Sequence, residues 1–153
     1  MKNPNLPSLI MKYASGTFLV LVAYFLLMKL FNLATIVELR FLNFFIMFAG
    51  IRLFMQQLKK ENENRIDYLP SLAYGFLVSA FASLLFAVFV FIYLAYIDKG
   101  LMLHLKAHQP FGEYLTPGSA TLVLVLEGCS SGAIITFALV QYLSREVKMK
   151  QAD

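Results

Sequence analysis

Four stretches of the chain are apolar for about the 20 residues that a helix needs to cross a bilayer. They cover residues 13–31, 35–55, 70–97 and 117–143, and polar connections separate them. A segment isolated in lipid must satisfy its own backbone hydrogen bonds, so each is read as a helix. The pattern predicts an all-α fold: a four-helix bundle integral to a membrane, with residues 1–153 forming one transmembrane domain. The first stretch follows Lys2 and Lys12, exceeds the apolar core of a cleavable signal and lacks a small-residue cleavage site, so it is expected to be retained.

Local chemistry marks the helix ends. Thr35-Ile-Val-Glu38 fits a capping box, with Thr35 as the cap and Glu38 reaching back to it. That leaves residues 32–34 as a tight turn between the first two spans. Pro70 and Pro117 stand where a first-turn proline is tolerated. The polar segment 56–69 is expected to extend the second helix and turn at residues 62–64. The connection 98–116 reads either as a short interfacial helix, with Leu101, Met102 and Leu105 toward headgroups and Lys99 and Lys106 toward water, or as a loop packed on the bundle.

Composition agrees with the pattern. The chain is 59% hydrophobic and 14% charged, whereas soluble domains carry about 45–50% apolar and about 25% charged residues. The formal charge of +4 comes without a dense basic block, so nucleic acid is not an expected partner. With four spans both termini share a side. That side holds nine lysines and arginines and the other holds four. The positive-inside rule then puts both termini in the cytoplasm, in a bacterial inner membrane. Cys129 is the one cysteine, so no intrachain disulfide forms.

Small residues suggest how the helices approach. Gly75, Ser79, Ser83 and Ala87 recur every four residues on the third span, and Gly128 and Gly132 form a GxxxG on the fourth. The two sets predict a close seam between these spans; the alternative is a homodimer face. Phe41, Phe44, Phe45 and Phe48 form an aromatic stripe on the second span, read as a surface for lipid or neighbouring helices.

Charges inside the spans carry the functional question, because ionisable groups at that depth are costly. Lys29 lies about 9 Å from the outer end of its helix and Arg40 about 7–8 Å, within reach of the interface for long side chains. Glu127 lies about 15 Å below Pro117, near mid-bilayer, and is too short to reach out. It must pair, meet water or be protonated. The candidate polar intramembrane cluster is therefore Glu127, Lys29, Arg40, Asn43, Ser130 and Ser131. It is either an ion pair that fixes helix register or a protonatable, ligand-binding carboxylate in a polar cavity. His104 and His108 are four apart with Glu113 nearby, but two histidines in a wet loop do not define a metal site, and no metal or other cofactor is expected. No phosphate loop, dinucleotide fingerprint, hydrolase elbow or HExxH motif is present.

Tyr74-Gly75 near the start of an apolar helix, Tyr93 and Ile97-Asp98 at its end, and Gly128 to Gly132 in a last glycine-bearing helix form one further pattern. It resembles a family of small four-span membrane proteins common in Bacteroidota, domain of unknown function 4199. Lys99 stands where that family often has a proline. The resemblance implies a four-helix inner-membrane protein and carries no activity or site residues. The expected function is non-enzymatic: an accessory or scaffold subunit in contact with the lipid bilayer and with a membrane-protein partner or further copies of itself. The rivals are a small-solute or proton-coupled transporter using Glu127, and an intramembrane enzyme acting on lipid.

Overall fold

The computed structural model describes residues 6–31, 39, 41–62, 67–108 and 112–150, with side chains at these positions other than 104, 108, 113 and 145–150. Its elements are helices: α1 (Leu6–Leu30), α2 (Phe41–Glu61), α3 (Tyr68–Ile92), a π-turn (Tyr93–Ile97), α4 (Lys99–His108), a 3-10 turn (Gly112–Tyr114) and α5 (Pro117–Lys150). Four of the helical stretches are long and apolar enough to cross a membrane. The predicted all-helical membrane bundle is the fold observed. The expected capping box and turn at residues 32–38 lie outside the described residues, as does Arg40.

Helices extend beyond the predicted spans. α1 starts seven residues before the predicted span, at Leu6, because Leu9 and Ile10 pack into the core. α2 is described from Phe41 and runs on past residue 55 to Glu61, while the predicted start at residue 35 lies outside the described residues. Its polar last turns stay helical because Leu58 is buried against the bundle and the Gln57 amide donates to Glu61 one turn on. The chain then turns at Asn62, as predicted, whose N–H donates to the Leu58 carbonyl at 3.1 Å.

α3 is the central helix. It is the most apolar of the four, and 44% of its most apolar window is buried, against 22–28% for the others. Its main partner is α5, with α1 next. The small residues make this approach possible, as predicted. A Cβ on Gly128 would collide with the Ser83 side chain, one on Gly132 with Ser79, and one on Gly75 with Met55 and Thr136. Each glycine is a slot for a side chain of the facing helix, and Ala87 continues the buried face of α3. Ser79 donates back to the Phe76 carbonyl at 2.8 Å, so its hydroxyl enters lipid depth already satisfied. The same device recurs between α1 and α2, where Thr17 fills the space at Gly50 and donates to the Tyr13 carbonyl at 2.8 Å. Outward faces carry large apolar side chains such as Leu19, Leu84, Leu122 and Phe137, a surface suited to acyl chains.

The end of the bundle away from the termini is closed by α4. Leu101, Met102 and Leu105 are buried in the common core, so this face turns toward the bundle and not toward headgroups. Of the two readings of the 98–116 connection, the helix is right and its lipid-facing orientation is corrected. Gly112 permits the return, since a Cβ there would strike the Lys106 carbonyl. α5 then begins with a reciprocal cap. The Ser119 N–H donates to Thr116 Oγ1 at 3.1 Å, and the Thr116 N–H to Ser119 Oγ at 2.8 Å, with Pro117 as the first helical residue.

The α3–α5 seam yields a graded expectation. Gly132→Ala must force the helices apart, because the obstacle at Ser79 includes its Cβ, which cannot rotate away. It is expected to cost about 1–3 kcal/mol. Gly16→Ala, where an added Cβ meets nothing, should be neutral or should stabilise by up to about 1 kcal/mol. Unfolding of both variants in detergent, followed by circular dichroism, measures the difference; equal effects would refute the seam.

Candidate functional site

Glu127 lies ten residues into α5, about 15 Å along the helix from Pro117. It is exposed on the outer surface of the bundle, not sequestered inside it. Beside it runs a groove of about 300 Å³ between α2 and α5, floored by α3. Asn43 enters from α2, Ser83 from α3, and Gly128 and Ser131 from α5; Phe86 and Met47 supply apolar walls. Ser131 is satisfied locally, donating to the Gly128 carbonyl at 3.2 Å. Asn43 Oδ1 and Ser83 Oγ are buried without a hydrogen-bond partner among the described residues. A second cavity, of about 60 Å³, shares Asn43, Phe86 and Leu124 with the groove and extends toward Tyr24 and Phe25.

The structure divides the predicted polar cluster. Glu127, Asn43 and Ser131 come together around the groove, and Ser83, which the sequence marked only for packing, joins them. Ser130 is exposed and does not line it. Lys29 goes elsewhere: its ammonium pairs with the Asp98 carboxylate. The physical reason is height. α1 and α3 run in the same direction, so the last turn of α1 and the residue that ends the π-turn meet at the same end of the bundle, whereas Glu127 lies far below. A pairing of Lys29 with Glu127 is therefore corrected to one with Asp98.

Asp98 has two jobs. Its Oδ1 accepts the Leu101 N–H at 2.8 Å, which caps α4, while the other carboxylate oxygen holds Lys29. The Lys29 ammonium, and next the Leu101 N–H, hold its carboxyl below the ordinary aspartate range. The π-turn delivers it there: the Asp98 N–H closes five residues back on the Tyr93 carbonyl at 2.9 Å, and the backbone leaves the helix at this residue. Phe25, Phe86, Phe89 and Tyr93 pack below the pair, with the Phe25 ring edge-on to Tyr93 at 5.1 Å between centroids. Nearby, the Tyr24 hydroxyl donates to the Leu39 carbonyl at 2.8 Å. Sequence reading missed the Lys29–Asp98 pair. Counting both residues from the shared end of their helices would have found it.

The side chains of His104, His108 and Glu113 lie outside the described ones. Among the described residues no group of three potential metal ligands converges.

Four apolar helices around a small-residue seam, with few groups outside them, define a multi-pass membrane protein. The chain belongs to the family described as "Protein of unknown function (DUF4199)", which matches residues 12–110, the first three spans and α4. No curated protein and no solved structure matches the chain.

The Asp98 node makes stability depend on acid pH. A carboxyl whose pKa is lowered on folding stabilises fully above its unfolded value of about 3.9 and loses that contribution as pH falls through the folded value. Thermal midpoints in detergent should therefore fall below about pH 4 in a component that Asp98→Asn removes. At neutral pH Asp98→Ala, which loses cap and pair, should cost about 1–2 kcal/mol. Lys29→Met should cost no more than about 1 kcal/mol. An acid profile identical in the Asn variant would refute the role.

Proposed function

We propose that this protein is a non-enzymatic accessory subunit that docks sideways on a transmembrane helix of another membrane protein, through the groove between α2 and α5. The observation that carries the reading is the exposure of Glu127 at mid-span. A carboxylate facing hydrocarbon is strongly unfavourable, and residues of this kind pair with one another or with polar groups of a neighbour. A partner helix that offers a cation or hydrogen-bond donor at the same depth would satisfy Glu127 and Asn43 together, while its apolar side chains fill the rest of the groove. Gly128 and Ser131 beside Glu127 allow the close approach that helix association in lipid needs. The proposal includes a bacterial inner membrane with both termini cytoplasmic, supported by the nine-to-four distribution of lysine and arginine.

A photo-crosslinking residue at Ile134, on the wall of the groove, tests this in native membranes. The expected product is a heteromeric adduct. Its yield should fall about tenfold or more in Glu127→Leu, as loss of one member of a buried charged pair implies. Adducts to lipid alone would sink the proposal, and adducts between two copies of the chain would replace the foreign partner with a homo-oligomer. Solute flux in proteoliposomes of the purified protein, abolished by Glu127→Gln, would instead favour the transport reading.

A further inference from the structure

At the other end of α2 a second opening separates α2 from α5, about 550 Å³ in volume. Phe48, Arg52 and Gln56 line it from α2, and Ala138, Leu139 and Tyr142 from α5. It shares no residue with the Glu127 groove. Its two ends differ in chemistry. Phe48, Ala138 and Leu139 make the deep end apolar. Arg52, Gln56 and Tyr142 make the end toward the termini polar, and all three side chains are exposed.

Depth makes Arg52 unusual. It lies nine residues before the end of α2 at Glu61, about 13 Å along the axis. It is also seven residues, or about 10 Å, below Lys59, on the hydrocarbon side of the basic residues that mark the interface. Gln56 and Lys60 follow at intervals of four, so Arg52, Gln56 and Lys60 form one stripe running from the groove to the helix end. Among the described residues no carboxylate lines the groove. Beyond Leu143 the α5 sequence adds Arg145, Lys148 and Lys150 against Glu146, so this end of the molecule is basic.

A guanidinium at that depth favours an anion, and its planar fork fits the paired oxygens of a phosphate or a carboxylate. The anion must come with something apolar, because Phe48, Ala138 and Leu139 line the deep end of the same groove. We infer that the α2–α5 groove at Arg52 is a binding site for one anionic phospholipid. Its headgroup phosphate lies on Arg52 and Gln56, and its acyl chain runs down the apolar floor. Basic pockets between helices are a recurrent form of headgroup recognition. Net positive charge along the stripe selects an anionic headgroup over a zwitterionic one, whose own cation would face Lys60.

Native mass spectrometry of the intact protein, released from detergent micelles containing phosphatidylglycerol, tests the assignment. One retained phosphatidylglycerol is expected, with weaker retention of phosphatidylcholine. Arg52→Gln should weaken retention about tenfold, and Arg52→Lys less, because the charge remains while the fork is lost. Thermal unfolding with phosphatidylcholine alone checks that the variants are folded; Tyr142→Ala provides a second perturbation of the groove should Arg52→Gln fail to fold, and should also weaken retention. Equal retention of the two lipids, or phosphatidylglycerol retention untouched by Arg52→Gln, overturns the proposal. So does stabilisation by inorganic phosphate equal to that by the lipid, which would mark a free-anion site. If Glu146→Gln destabilises the lipid-free protein as much as Arg52→Gln does, Arg52 serves an internal ion pair and the proposal is again overturned.

Discussion

Everything in this bundle depends on how closely α3 and α5 can approach. In water, burial of apolar surface would drive them together, but lipid is as apolar as leucine and supplies no such force. What remains is dispersion between surfaces in contact, and that falls off steeply with distance. Gly128 and Gly132 give α5 two slots, and Ser83 and Ser79 of α3 fill them. Gly75 does the reverse for Thr136. The seam is therefore reciprocal, with each helix giving room to the other. α3, wrapped on several sides, becomes the element against which α1, α2 and α5 are positioned.

Several hydroxyls at lipid depth are satisfied within their own helices, whereas those of Ser83 and Thr136 are buried in the α3–α5 seam without a partner among the described residues. The hydroxyls of Thr17, Ser79, Thr121 and Ser131 turn back to carbonyls of their own helices, so they act as small space-fillers with their hydrogen bonds already made. Asp98 and Lys29 lie at the rim, where each has a charged counterpart. Glu127 differs from all of these in being an ionisable group exposed at mid-span, beside the buried amide oxygen of Asn43. That contrast, more than the presence of a carboxylate, singles out the α2–α5 face.

Much of the architecture was legible in the sequence because its causes are local. Span length and hydropathy located four helices, and the four-residue spacing of Gly75, Ser79 and Ser83 located the seam. Pro117 fixed the start of α5, and with it the depth of Glu127. The end of α2 was only partly legible: the polar residues after Met55 mark the end of the span, whereas burial of Leu58 carries the helix on to Glu61. The orientation of α4 was hidden, since Leu101, Met102 and Leu105 would suit a headgroup layer or the end of a bundle, and tertiary packing decides between them. The partner of Lys29 required knowing that α1 and α3 are neighbours of the same direction. The groove beside Glu127 required knowing where α2 and α5 part, and no spacing along a single helix contains that.

The inward turn of α4 has a geometric consequence. With Leu101, Met102 and Leu105 tucked beneath it and Asp98 clasping its first turn to α1, α4 lies as a cap on that end of the bundle. The molecule thus resembles a stave in a barrel: it has broad sides and a closed head. Encounters that involve its core helices take place by lateral diffusion in the plane of the membrane, in two dimensions, where its abundance relative to lipid rather than its concentration in solution sets how often they occur.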